Sequence, residues 1–463
     1  MKINFYKTLL FFAFLVLSCS SAVAKGNTAP PDSVTHIIDK SAALLLIDKA
    51  KTLFYEGKVR DALIIFRQAT VKDPFNWKAP FWVAQCHYSM NNYGLALKYT
   101  QEAVEIEKSE KSEIDKDLCE LLGRSYHRIG ELDSAIINYT LASSKLSASE
   151  AKALNLEVHL AECKFAKEQQ MGNATSKRVA VSSVNSGYND YSPILTENGK
   201  TLYFTTRRND TKGGSMNPDD QEFFEDTYCA VWNAEINNWD SISNDLGRIN
   251  TEGFDAINYI SKDGKSGLMT INTTATKMKN TTKGSDLFTI EMSNKGNWST
   301  PKRINSKTIN TSFFEGSATM TNDMNTLYFV SDRKGEKSST DIYVSQKVGK
   351  NWGEATPLPF TINTVGRETT PFISGDGRFL FFSSDGHLGM GGLDIYVVEN
   401  LGSTWSEPIN LGILVNTVNN DTHFQYYPEL QKAVMASFEI IGQKASMDIF
   451  NVDMTNFMYP KGK

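Results

Sequence analysis

From about residue 40 to residue 168, apolar positions recur every three or four residues, with Gly and Pro sparse except at turns. That period belongs to amphipathic helices. After Gln169-Gln170-Met171-Gly172-Asn173 the pattern changes to short runs of alternating β-formers divided by Asn, Gly, Ser and Asp, the signature of strands and tight turns. The chain therefore predicts a helical half followed by a strand-rich half. Both halves repeat internally.

In the helical half, small residues align as Ala50, Ala62, Ala69, then Ala84, Ala96, Ala103, then Gly123, Ala135, Ala142. Within each trio the spacings are 12 and 7; the first two units lie 34 residues apart and the third 39, the excess falling in the charged segment Glu107 to Lys116. These positions resemble the tetratricopeptide repeat, in which small residues sit where paired helices approach closely. Phe66, Tyr139, Tyr126 and Pro74 fall where that family places its packing residues, whereas Thr100 stands where Phe is expected. Ser147 to Lys167 adds one amphipathic helix, read as the cap that such a stack requires. Trp77 and Trp82 are read as core, and His87 and His127 as packed or solvated single histidines.

In the strand-rich half an apolar-Asn pair recurs at Val184-Asn185, Ile249-Asn250, Ile309-Asn310, Ile362-Asn363 and Val415-Asn416. About ten residues on comes a strand, turn and strand, clearest in Tyr191 to Phe204, with Asn-Gly and Asp-Gly turns that require positive φ. An Asp then opens another strand at Asp226, Asp286, Asp341, Asp394 and Asp448, and Trp239, Trp298, Trp352 and Trp405 follow in the first four units. Four strands per unit at this period make a propeller blade, because one small sheet cannot bury both faces without stacked neighbours. Lys177 to Asn185 matches Pro301 to Asn310, the end of a complete blade, and supplies the strand that the last unit lacks.

The blades resemble WD40-like repeats of the TolB type, through Ser192-Pro193, Gly199 to Phe204, Asp332-Arg333 and Gly389 to Tyr396. Their combination with an upstream tetratricopeptide array resembles a Bacteroidetes envelope family that includes PorE-like components of type IX secretion and gliding. The resemblance implies an envelope location and protein partners. Family members also carry an OmpA-like C-terminal domain, which is not found before Lys463.

The domains expected are a signal peptide (1–24), a linker (25–39), the tetratricopeptide array with its cap (40–168), a linker (169–176), a five-bladed propeller (177–456) and a tail (457–463). Lys2, Lys7 and the apolar run Leu9 to Leu17 read as an export signal, since nine residues cannot span a bilayer. Val16-Leu17-Ser18-Cys19 resembles a lipobox with Cys19 as the acylated residue; Ala22-Val23-Ala24 fits ordinary cleavage before Lys25. The expected location is the periplasmic face of the outer membrane as a lipoprotein, held by the lipid alone, or the soluble periplasm under the other cleavage.

The formal net charge is -5, and more negative once Lys2 and Lys7 are gone, so nucleic acid is not an expected partner. Cys86, Cys119, Cys163 and Cys229 form no C-x-x-C pair. There is no G-x-S-x-G elbow and the histidines are scattered, so no enzyme, cofactor or metal is expected. Gly389 to Leu393 reads as an inter-strand turn, and the recurring Asp residues as turn caps rather than calcium ligands. Arg207-Arg208 and Asp332-Arg333 follow strand ends, where blade packing is the expected role. An insertion over Asn209 to Phe224 is the candidate interaction loop, with Asn209, Asp210, Lys212, Asp219, Asp220, Phe223 and Phe224. The function expected is a non-enzymatic protein-interaction scaffold; the alternative is glycan or small-ligand binding at the propeller mouth.

Overall fold

The structure, a computed structural model, describes residues 34–110, 113–172, 177–217, 220–272, 284–333, 339–441, 444–455 and 457–459. Cys19, both processing sites and Asp219 lie outside them. Among the described residues eight helices come first: α1 (Val34–Tyr55), α2 (Val59–Lys72), α3 (Lys78–Ser89), α4 (Tyr93–Glu110), α5 (Lys116–Arg128), α6 (Leu132–Lys145), α7 (Ala148–Ala153) and α8 (Leu156–Met171). The first six pair as three antiparallel hairpins. Their turns are closed by Gly57, Asn91 and Gly130 at positive φ, equivalent positions that only Gly or Asn adopts readily. The small-residue trios are fully buried between the paired helices. A Cβ on Gly123 would stand 2.6 Å from the Tyr139 ring, which explains why that slot stays small.

Four features differ from the sequence reading. Helix α1 begins inside the segment read as a linker, and α8 extends three residues past Glu168. The cap is two helices, because Asn155 turns left-handed (φ 51°) between them, with Ser147 and Glu150 forming a capping box ahead of α7. Phe457 and Tyr459, read as tail, pack onto the fourth and fifth blades, and Tyr459 stacks on Phe379 at 3.4 Å.

Five antiparallel sheets follow. Their first strands are Asp190–Leu195, Phe254–Ile260, Glu315–Met320, Glu368–Ile373 and Asp421–Tyr427, and these touch one another around the axis of a five-bladed β-propeller. The outer strand of the fifth sheet is Arg178–Ala180, paired antiparallel with Phe450–Val452, so the ring is closed by its own beginning. The apolar core lies between successive blades.

The recurring apolar-Asn pair has a common task. Asn185, Asn250, Asn310, Asn363 and Asn416 each accept from the backbone N–H and donate to the C=O of one residue in a third strand: Ile449, Thr227, Leu287, Ile342 and Ile395. One side chain, buried at four of the five connections, thereby satisfies two strand groups at every blade connection. At the head of each first strand a fully buried carboxylate, Asp190, Asp255, Glu315, Glu368 or Asp421, accepts from the backbone N–H and hydroxyl of the Ser or Thr four residues earlier at 2.6–2.9 Å. Arg208, Arg333 and Arg178 pair with Asp190, Glu315 and Asp421.

Candidate functional site

Helical array and propeller are docked through the Gly389 to Leu393 turn. Asp394 shapes it by accepting from the Met390 N–H at 2.8 Å and the Gly391 N–H at 3.3 Å. Met390 inserts into the helical core beside Leu132, Tyr139, Leu156 and Cys163. On the array side, His127 Nε2 donates to the Met390 carbonyl at 2.8 Å and Arg128 donates to the Val418 carbonyl at 2.8 Å. Gly391 and Gly392 have positive φ, and a Cβ there would lie 2.7 Å from His127 and 2.6 Å from Arg128. The turn expected here is present, and it is also the socket for α5. A second contact joins the Arg60 N–H of α2 to Gln221 in the first-blade insertion at 3.1 Å.

Beside the socket, His127, His159 and Glu162 bring their ligand-type atoms within 4.8 Å of one another. His159 Nδ1 contacts Glu162 at 2.9 Å. Burial pushes His127 down to about 4, and the neighbouring Arg128 adds to that. The sequence spacing of these residues, on two helices, could not reveal the group.

Helices α1, α3 and α5 share a half-exposed face. Lys51 lies over the Trp82 ring at 5.1 Å, Phe54 and Tyr55 meet Trp82 edge-on, and Arg124 lies 4.5 Å from the Tyr88 centroid while bonding Gln85 and Glu120. Trp82 stacks on Phe66 and belongs to the core as read, but its partner Tyr55 is 75% exposed.

The insertion is pinned across one mouth of the propeller. Arg207 organises it: its guanidinium reaches Asp220 at 2.8 Å, Glu222 at 3.3 Å and the Phe223 carbonyl at 2.6 Å, and lies over the Phe254 ring. Phe223 meets Tyr188 edge-on, and Phe224 meets Phe254 at 5.0 Å. Asp210 accepts from the Tyr228 hydroxyl, the Lys212 N–H donates to Asp226, and Asn209 is exposed. Of the candidate loop residues that the structure describes, Asp220 alone lines the axial cavity; the other described ones anchor the loop or face outward.

That cavity has two adjoining lobes of about 310 and 410 Å³, which share Tyr191, Arg207, Phe314, Ser317 and His423. Glu225 stands in its wall; burial raises its carboxyl, and a hydrogen bond from Tyr191 opposes the shift. Towards the centre the cavity narrows to a ring contributed by all five blades: Ser192, Asn258, Ser317, Thr370 and His423. Each lies at a register shift in its first strand. Ser192, Ser317, Thr370 and His423 have φ of 45–53°, the left-handed region in which a non-glycine residue is strained. Beyond the ring a third cavity, about 350 Å³, opens at the opposite mouth between Tyr259, Phe372, Tyr426 and Tyr459. Sequence inspection missed the ring because no one residue type is common to its five members.

No family model matches the chain, and no match is found among curated proteins. Among solved structures, the type III secretion translocator chaperone SycD of Yersinia enterocolitica is 21% identical over 30% of this chain and 97% of its own, with a TM-score of 0.24. A glycoside hydrolase is 9% identical over 64% of this chain and 97% of its own, at 0.42. The α-L-arabinofuranosidase of Podospora anserina is 10% identical over 59% of this chain and 93% of its own, at 0.35. These are likenesses of fold. They nevertheless overturn one expectation: the propeller's solved neighbours include enzymes, so the reading of the chain as catalytically inert is withdrawn.

Proposed function

We propose that this chain is a protein-interaction scaffold of the bacterial envelope, exported, held at the periplasmic face of the outer membrane by a lipid on Cys19, and serving type IX secretion or gliding. The observation that carries the scaffold reading is the socket at Met390 to Gly392. It fixes the helical array on the propeller while the aromatic and cationic face of α1, α3 and α5 stays half exposed. A repeat array presenting such a face is suited to an extended peptide or a partner's helix. Among the described residues no helix is long and apolar enough to cross a membrane. The envelope location rests on the leader and on family resemblance.

Crosslinking in native cells followed by recovery of the chain tests the scaffold. Envelope proteins should be captured by the natural chain and lost when Tyr55→Ala and Arg124→Glu are combined. Recovery of none from the natural chain sinks the reading. Intact mass of the mature protein, compared with a Cys19→Ala variant, tests the tether: a lipid-bearing mass absent from the variant supports it, and a mass beginning at Lys25 rejects it.

A further inference from the structure

We propose that the axial cavity on the insertion face binds an uncharged saccharide. This goes beyond the scaffold reading and does not depend on it. Charge selects the ligand class first. Arg207, the cation at the centre of the wall, is already matched by Asp220 and Glu222 at 2.8 and 3.3 Å. A phosphate or carboxylate ligand would have to displace that pairing. Cationic ligands fare no better, because Arg207 occupies the acidic side chains of the insertion and the buried Glu225 carboxyl is already engaged by the Tyr191 hydroxyl. The other cation in the wall, Arg367, is likewise paired, with Asp385 at 2.8 Å, and the rest of the wall is uncharged.

Its composition is that of a polyol site. The aromatic rings of Tyr191 and Phe314, which line both lobes, provide apolar surface for the C–H side of a sugar ring, and Asn258, Ser317 and His423 offer hydrogen-bonding groups beside them. Several valences there are uncommitted among the hydrogen bonds of the described residues. Asn258 uses Oδ1 to accept from Thr270, which leaves its amide N–H₂. His423 uses Nδ1 on Thr422, which leaves Nε2, and burial keeps the ring neutral by lowering it to about 4. Ser317 bonds through its backbone N–H to Thr270, so its hydroxyl is spare. The strain at Ser192, Ser317, Thr370 and His423 recurs in four blades at the axial ring, the kind of local strain that persists when a surrounding scaffold enforces a site. Each lobe falls at the lower end of small-ligand pockets, roughly 300–1,000 Å³, and suits one or two sugar rings.

Calorimetric titration of the intact mature chain with cellobiose, maltose and N,N′-diacetylchitobiose is the test, with glucose 6-phosphate and a lysine-rich peptide as charged counterparts. At least one neutral disaccharide should bind, with affinity falling about tenfold in Phe314→Leu, which keeps apolar bulk but removes the ring, and again in Ser317→Ala. Tyr426→Leu at the opposite mouth should leave the affinity unchanged, which separates the two cavities. Unfolding profiles of the variants identify any that lose structure; Ser317→Ala removes no hydrogen bond of the fold and keeps the test decisive. The proposal is overturned if none of the neutral disaccharides binds, if a charged counterpart binds in their place, or if binding is indifferent to both Phe314 and Ser317.

Discussion

At the scale of single residues, the propeller carries buried groups whose cost is visible in their titration. Asp255 is fully buried, keeps one oxygen on Thr251 and leaves Oδ1 without a partner, and burial pushes its carboxyl up to about 7. The folded state therefore binds a proton that the unfolded state has released between the ordinary Asp range and pH 7, and stability falls as pH rises through that window. An Asp255→Asn substitution retains the acceptor for Thr251 and abolishes the ionisation. Its melting temperature should exceed the natural chain's by a few degrees at pH 8 and converge with it near pH 4; a gap independent of pH would assign the gain to something else. Ser317 offers the complementary case. Its φ of 47° is strained for any side chain with a Cβ and worst for a β-branched one. Ser317→Gly should leave the melting temperature unchanged or raise it, because relief of strain offsets the entropy of glycine, whereas Ser317→Val should cost about 2 kcal/mol by chemical denaturation.

Among elements, the five Asn residues that link the blades explain why repetition was readable. Asn363 satisfies the N–H and C=O of Ile342 and the C=O of Leu358, all buried. Asn363→Ala leaves three groups unpaired and should destabilise the chain by about 3 kcal/mol, read from the midpoint of urea unfolding, while Asn363→Asp keeps the Ile342 N–H but should cost at least as much by setting a buried carboxylate oxygen against the carbonyls of Ile342 and Leu358. The same demand falls on every blade connection, so one residue type recurs and the sequence advertises the blade count. The helical repeat was legible for a related reason: Gly123 and its alanine counterparts are fixed by the close approach of a neighbour such as Tyr139. The axial ring was illegible because bulge geometry, rather than side-chain chemistry, places its members, and Ser192, Asn258, Ser317, Thr370 and His423 can then vary freely. The cap was misread as one helix because a lone Asn is tolerated within a helix as well as at a left-handed break, and only the φ of 51° at Asn155 shows which of the two it makes.

For the whole molecule the decisive contact joins residues that sequence separation hides: His127 and Met390 lie 263 positions apart. Gly391 and Gly392 looked like turn residues and are, but their lack of a side chain also admits His127 and Arg128. This contact should respond to acid. Unfolded or undocked, His127 takes up a proton below about 6.5; docked, burial lowers it to about 4, so docking is favoured above that window and weakens as pH falls through it. At pH 5 the natural chain should become more extended in small-angle scattering and be cleaved by limited proteolysis between array and propeller, while at pH 7.5 it stays compact. His87 and His423 are lowered to about 4 as well, so acid alone does not identify the group. A glutamine in place of His127 can still donate to the Met390 carbonyl but cannot ionise, and His127→Gln should keep the two domains docked at pH 5. Opening of that variant along the same pH curve as the natural chain would move the acid-sensitive element out of the socket. A Gly392→Val variant should open at every pH, since its side chain collides with Arg128 whatever the charge on His127.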